Sequence, residues 1–334
     1  MMAPDTLAEH SAPHLSSPVG RFAPSPTGRM HLGNIFTALI SWLSVKKRSG
    51  KWILRVEDLD PQRSRPEYEK MIEDDLLWLG LSWDEGGLDE KGPNAPYLQS
   101  RSHEFYQQAL DRLIKIGHVY RCTCRRADLH APGAPHASDG RIVYNGHCRP
   151  ASLSSLASQQ AKIPPESLNT PGALRLYVPP ETITFSDTLY GTQKIRLDTE
   201  FGDFLLQRAD GAWAYQLAVV ADDARMGVTE VVRGHDLLSS SAPQIFLYRQ
   251  LGLQVPAFAH VPLLCAADGR RLSKRDADLS METLRRNFSP EELTGRLAFL
   301  AGLLPEPLPI TPTDLLPIFS WDKIPRSECL LIHT

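Results

Sequence analysis

From residue 34 the chain reads NIFTALISWLSVKKRSG, with apolar side chains at helical spacing, basic residues in the last turn and Gly50 as a stop, which predicts a helix. Before it, a short apolar run beginning at Val19 predicts a strand leading into APSPTG, a loop shaped by Pro and Gly. WILRVEDLD (52–60) predicts a second strand and a turn, and helical periodicity returns over 66–79 and 102–116. Strand, loop, helix, strand in that order predicts a parallel α/β sheet.

Around Tyr120 the pattern changes. Residues 121–170 have little apolar periodicity and are rich in Cys, His, Pro, Ser and Gly, as expected of an inserted module. Strand-like stretches follow at 173–178 and 194–207. AYQLAVVADD (214–223) reads as a helix or strand packed in the core, VTEVVRG (228–234) as a strand and 241–252 as a helix. Residues 256–276 hold an apolar strand, a turn and the basic run RRLSKR; helical patterns broken by Pro-rich segments follow from about 280. The role of 305–334, with its PEPLPITPTDLLP, is not legible from pattern alone.

The 334 residues suffice for a sizeable core and two or three small domains. Lys and Arg total 36 against 39 Asp and Glu, a net charge of −3, which excludes a polycationic nucleic-acid coat but not a local basic face. No apolar run reaches the ~18 residues of a membrane span. Residues 1–17 lack the basic start and apolar stretch of a secretory signal and are expected to be a disordered extension. Five cysteines, two of them in a Cys-x-Cys pair, suit a reduced, cytoplasmic setting and a metal site better than a disulfide framework.

Two constellations carry nucleotide chemistry. Residues 21–34, RFAPSPTGRMHLGN, place a strand end, a rigid loop and a helix start together, and the N–H groups at a helix start suit the phosphates of ATP. His31 can bond a phosphoryl oxygen in the transition state, and Gly33, beside Asn34, allows close approach of adenine or ribose. Residues 270–275, RRLSKR, can reach a departing pyrophosphate, with Lys274 as the nearest point charge. Either motif alone also fits an ordinary turn or a solvated basic loop.

Together, about 240 residues apart and each after a strand, they resemble the paired HIGH-like and KMSKS-like signatures of class I aminoacyl-tRNA synthetases. RFAPSPTG, RVEDLDPQRS, and AYQLAVVADD followed by VTEVVRGHDLL narrow the resemblance to the glutamyl group over about residues 19–280. The resemblance implies a Rossmann-type catalytic domain of the α/β class, in halves at 18–117 and 201–276. An inserted module at 118–200 and a C-terminal helical region at 277–334 complete that division. It implies ATP with Mg2+ as substrate and a site for L-glutamate on Arg21, Phe22, Ala23, Pro24, Ser25, Glu57, Tyr215 and Arg233. His31, Gly33, Asn34 and Lys274 would serve ATP. Either Arg21 or Arg233 can pair with the γ-carboxylate, Glu57 can hold the ammonium, and Tyr215 can close the pocket.

Cys122, Cys124 and Cys148 offer three thiols in a loop-rich insertion, a pattern suited to one zinc ion. His147 or His136 is the orthodox fourth ligand. The Cys-x-Cys…Tyr-x-x-x-Cys spacing resembles instead the zinc site of glutamyl-queuosine synthetases, which implies Tyr144. Cys265 and Cys329 fit no site and read as structural.

Only 59 residues follow Arg275, too few for the anticodon-binding domain of full-length glutamyl enzymes. The chain thus resembles the glutamyl-Q tRNA(Asp) synthetases, which implies queuosine-bearing tRNA(Asp) as acceptor and a monomer away from membranes. Arg125, Arg126, Arg141 and Arg149 are then candidate phosphate contacts. Alternatives are a short enzyme charging the 3′ end of tRNA(Glu), a ligase with a non-RNA acceptor, and an inactive nucleotide- or RNA-binding paralogue.

Overall fold

The computed structural model describes residues 17–125, 143–154, 163–164, 168–266 and 279–332. The two strands expected first are β1 (Val19–Phe22) and β2 (Lys51–Leu54), paired in parallel with Val19 opposite Lys51. Helix α1 (Leu32–Lys46) is the crossover between them. Next come α2 (Pro66–Trp78), β3 (Glu85–Gly86), α3 (His103–Ile116), β4 (Val119–Cys122) and β5 (Ala173–Leu176). A hairpin of β6 (Thr182–Asp187) and β7 (Gly191–Arg196) leads to β8 (Phe204–Gln207) and α4 (Tyr215–Arg225). The chain continues through β9 (Glu230–Gly234), α5 (Ser241–Gln250), β10 (Ala257–Val261) and β11 (Leu263–Cys265). Helices α6 (Met281–Asn287) and α7 (Pro290–Leu300) precede β12 (Cys329–Leu331).

The larger sheet has the order β3-β2-β1-β9-β10-β6-β7 and is parallel except for the β6–β7 hairpin. Strands β4, β5 and β8 form a separate antiparallel sheet. The stretch 194–207, strand-like in sequence, divides between them: β7 ends at Arg196, a helical turn spans Leu197–Glu200, and β8 starts at Phe204. The two sheets therefore interleave along the chain.

Within β2, Ile53 joins one apolar cluster while Trp52 and Leu54 join another. Val231 and Val232 of β9, and Phe258 and Ala259 of β10, divide the same way. Side chains alternate across a strand, so both faces of the sheet are buried, and its strands read as continuous apolar runs. Helices α3, α4 and α5 cover one face through Leu110, Leu217 and Ile245. On the other lies α1, buried at every position from Ala38 to Val45. Each large apolar side chain enclosed in this way contributes about 1.5–3 kcal/mol. Gly20 permits the fit, since a Cβ there would lie 2.4 Å from Val45 Cγ2.

A helix apolar all round needs cover on its outer side as well. The C-terminal stretch supplies it: Leu315, Phe319 and Ile324 join the cluster around α1, and Trp321 Nε1 donates to Ser44 Oγ at 3.1 Å. Strand β12 pairs with β11, and Cys265 and Cys329 are joined by a disulfide with a Cα–Cα distance of 6.0 Å. This corrects the expectation of reduced cysteines for that pair. Their sequence separation of 64 hides the proximity that the β11–β12 pairing creates. No described helix is long and apolar enough to cross a membrane.

Candidate active site

At the centre of the larger sheet β1 and β9 lie side by side, with β2 and β3 beyond one and β10 beyond the other. Such a switch in strand order leaves a crevice past the strands' C-terminal ends. Here it is a cavity of about 490 Å³. Arg21 and Phe22 enter it from β1, and Ala23, Pro24 and Ser25 from the loop that follows. His31, Gly33 and Asn34 come from the start of α1, Glu57 from beyond β2, Tyr215 from the start of α4 and Arg233 from β9. Residues distant in sequence thus share one cavity. Lys274 and the whole 270–275 run, His136, Arg126, Arg141 and residues 1–16 lie outside the described residues.

His31 caps α1. Its Nδ1 accepts from the Gly33 N–H at 3.1 Å, while Asn34 Oδ1 accepts from the His31 N–H at 3.1 Å. This reciprocal capping holds the imidazole at the positive end of the helix, and a neutral ring bonded so carries its proton on Nε2. A Cβ on Gly33 would come within 3.1 Å of the ring, so this glycine also makes room for the imidazole. Just past the 270–275 run, Ser280 bridges to His31 and the Met281 N–H donates to the Met30 carbonyl at 3.0 Å. Just before it, Leu263 and Leu264 line the cavity.

The floor is a set of buried charges. Arg21 Nε donates to both oxygens of Asp223 at 3.2 and 3.4 Å, and Arg55 donates to Asp223 Oδ1 at 2.6 Å. Burial opposes ionisation of Asp223, but the two guanidiniums outweigh it and hold its pKa below the ordinary carboxylate value. Arg55 also reaches Glu57 Oε1 at 3.3 Å. For Glu57 burial wins and its pKa is raised in spite of Arg55 and Arg21. A cation bound beside it offsets that penalty.

Arg233 is held differently. Nε donates to His260 Nε2 at 3.0 Å, Nη1 to Gln244 Oε1 at 2.8 Å and Nη2 to Ser241 Oγ at 2.8 Å. All three acceptors are neutral, whereas Arg21 is spent on Asp223. Burial lowers the Arg233 pKa, and an anion bound there is favoured. Because His260 Nε2 accepts, its proton sits on Nδ1, 2.6 Å from Asp187 Oδ2. Burial, with the Arg233 charge beside it, brings His260 down to about 4 despite Asp187. It is neutral at pH 7.

Arg55, Asp223, Asp187 and His260 were not singled out in the sequence. Paired aspartates inside the otherwise apolar AYQLAVVADD are a signal of buried charge that could have pointed to Asp223. Nothing in sequence joins Asp187 to His260, which meet only because the β6–β7 hairpin docks on β10.

In the smaller sheet's region the Sγ atoms of Cys122, Cys124 and Cys148 lie within 4.8 Å of one another. Cys124 and Cys148 are 3.5 Å apart, and Tyr144 Oη is 3.5 Å from Cys122 Sγ and 3.9 Å from Cys124 Sγ. A tetrahedral site with zinc–sulfur bonds of ~2.3 Å has edges of about 3.8 Å, comparable with the thiol separations here. His147 is exposed. Burial opposes ionisation of Cys148, but hydrogen bonds from the Thr123 backbone, Tyr144 and Cys124 bring it to about 6. Arg149, a candidate phosphate contact, donates from both Nε and Nη2 to buried Asp203, at 2.7 and 2.9 Å. Arg125 is exposed.

Residues 19–308 match the family model of tRNA synthetases class I (E and Q), catalytic domain. The chain is 47% identical to a glutamyl-Q tRNA(Asp) synthetase of Symbiobacterium thermophilum, over 92% of this chain and 94% of that one. It is 42% identical to a glutamate–tRNA ligase of Sulfurihydrogenibium sp., over 79% of this chain but 54% of the relative. Among solved structures, a glutamate-tRNA synthetase from Elizabethkingia anophelis matches with a TM-score of 0.79 and 27% identity, covering 95% of this chain and 68% of that one.

Proposed function

The chain belongs to the class I tRNA synthetase family for glutamate and glutamine, and from that premise we propose that it activates L-glutamate with ATP and transfers it to the queuosine base of tRNA(Asp). One observation carries the activation step: Arg233, Glu57 and the His31-capped helix start open into the same cavity. The acceptor rests on the near-full-length correspondence with the glutamyl-Q relative.

Glutamate binds with its ammonium against Glu57 and a carboxylate against Arg233, whose protein partners are all neutral. Arg21, already bonded to Asp223, adds positive potential beside it. Tyr215 closes the pocket. The α-carboxylate oxygen attacks the α-phosphorus of ATP, the bond to the bridging oxygen breaks, and pyrophosphate leaves with Mg2+. His31 stabilises charge on the phosphoryl oxygens, with Gly33 and Asn34 shaping the helix start. Lys274, which lies outside the described residues, supplies in this reading the point charge that meets the departing pyrophosphate. A hydroxyl oxygen of the queuosine cyclopentene diol then attacks the acyl carbon, AMP leaves, and the hydroxyl proton passes to phosphate or water.

Cys122, Cys124, Cys148 and Tyr144 hold one zinc ion in this reading. Bound there, zinc would fasten the loops at 122–124 and 144–148 at the edge of the apolar cluster. Against the expected division at 118–200, the β6–β7 hairpin belongs to the catalytic sheet and β8 to the smaller one; the whole acts in this reading as a cytoplasmic monomer.

The test uses labelled glutamate, ATP and tRNA(Asp) with and without queuosine. Glutamate activation proceeds without RNA, and transfer requires queuosine and survives removal of the 3′-terminal nucleotides. Label recovered on the terminal adenosine, or equal charging of queuosine-free tRNA, favours charging of tRNA(Glu) instead.

A further inference from the structure

Beside the first cavity lies a second hollow of about 310 Å³, and Tyr215 stands in the walls of both. Its other walls include Tyr144, Arg175, Phe201, Asp203 and Phe204. Arg175 is 6% exposed and its guanidinium lies 3.8 Å over the Tyr144 ring. Nη1 donates to the Asp203 carbonyl at 2.6 Å; Nε is shielded from solvent and meets no acceptor among the described residues.

The chemistry of the walls narrows the ligand. The Asp203 carboxylate is engaged by Arg149, Tyr120 and the Val178 N–H, so it adds no unshared negative charge. Among the described residues Arg175 is the one cation in the walls, and its guanidinium lies over the Tyr144 ring. One such cation suits a neutral ring carbonyl better than a phosphate, which draws several donors. Phe201 and Phe204 bring aromatic rings into the lining, and bases stack on such rings.

We propose that this hollow seats the heteroaromatic base of the acceptor nucleotide, stacked against Phe201 and Phe204 with a ring carbonyl accepting from Arg175. The acceptor hydroxyl then enters past Tyr215 toward the activated carboxyl. This rests on the nucleotide-acceptor reading above. Tyr144 gives the site a link to the thiol cluster, because its hydroxyl lies among the sulfurs while its ring supports Arg175.

The test compares two rates on the same enzyme: pyrophosphate exchange, which reads activation, and glutamate transfer to queuosine-bearing tRNA(Asp). Phe201→Leu keeps apolar volume and loses the ring, so the ratio of transfer to exchange falls about fivefold to a hundredfold, mainly through the KM for tRNA. Phe201→Tyr restores the ratio. An unchanged ratio in Phe201→Leu overturns the base site while leaving the acceptor reading intact. If Phe201→Leu loses exchange and transfer alike, Phe204→Leu takes its place, and an unchanged ratio there overturns the site equally. Failure of the wild-type enzyme to transfer to queuosine removes the acceptor reading itself, and this proposal with it.

Discussion

Arg233 Nε donates to His260 Nε2 at 3.0 Å, and this contact fixes the tautomer of a fully buried histidine. The other ring nitrogen then faces Asp187 Oδ2 at 2.6 Å, and the same oxygen accepts the His260 backbone N–H at 3.1 Å. A carboxylate on β6, an imidazole on β10 and a guanidinium on β9 form a chain across three adjacent strands. Its free end opens into the candidate active-site cavity. Asp187 and His260 do not line that cavity; they hold Arg233, which does.

Replacing His260 with Leu leaves the Arg233 Nε–H without its acceptor, a cost of about 1–3 kcal/mol. The KM for glutamate in pyrophosphate exchange rises about tenfold, and kcat changes less. His260→Gln, which retains an acceptor, recovers part of the loss. An unaltered KM in the leucine variant would show that Gln244 and Ser241 suffice to hold Arg233.

Acid weakens the fold through the same histidine. Its folded pKa is about 4 against 6.5 for the ordinary side chain, so between those values the unfolded chain binds more protons. The stabilisation is complete above pH 6.5 and is lost as pH falls toward 4, by on the order of 3 kcal/mol. Denaturant midpoints measured across this window in wild type and His260→Gln test it. The variant shows a shallower slope.

In the proposed activation step, Lys274→Ala removes the charge that meets departing pyrophosphate. Loss of one such contact costs ~2.7–4 kcal/mol, or roughly 100–1,000-fold in rate. Pyrophosphate exchange falls by that factor while glutamate affinity, read by equilibrium dialysis, stays within a few-fold. Near-normal exchange would remove Lys274 from the activation step.

For the thiol cluster the measurement is metal content. Purified protein carries about one zinc, Cys124→Ser loses it, and hydrogen exchange quickens around 121–125 and 143–150. Tyr144→Phe lowers zinc affinity because the hydroxyl lies among the sulfurs. Unchanged affinity in that variant would make another group, with His147 the nearest in sequence, the fourth donor.

Several features needed only the sequence. α1, β1, β2 and β9 announce themselves by local pattern, since helix and strand periods are properties of neighbouring residues. RFAPSPTG and HLGN are likewise continuous, so the helix start with its capping histidine could be located before any fold was known. Arg21, Glu57, Tyr215 and Arg233 came from resemblance to a family, and the structure gathers them around one cavity.

What only the tertiary structure decided concerns contacts between residues far apart in the chain. The pairing of Arg21 with Asp223 distinguishes it from Arg233, a difference invisible in two arginines read as letters. The Asp187–His260 bond spans 73 residues and depends on the register at which β6 meets β10. Likewise, the Pro-rich C-terminal stretch reads as irregular until it is seen covering α1. Local pattern reports how each segment folds by itself; which buried charge finds which partner is set by strand order and docking, where an unpaired charge costs most.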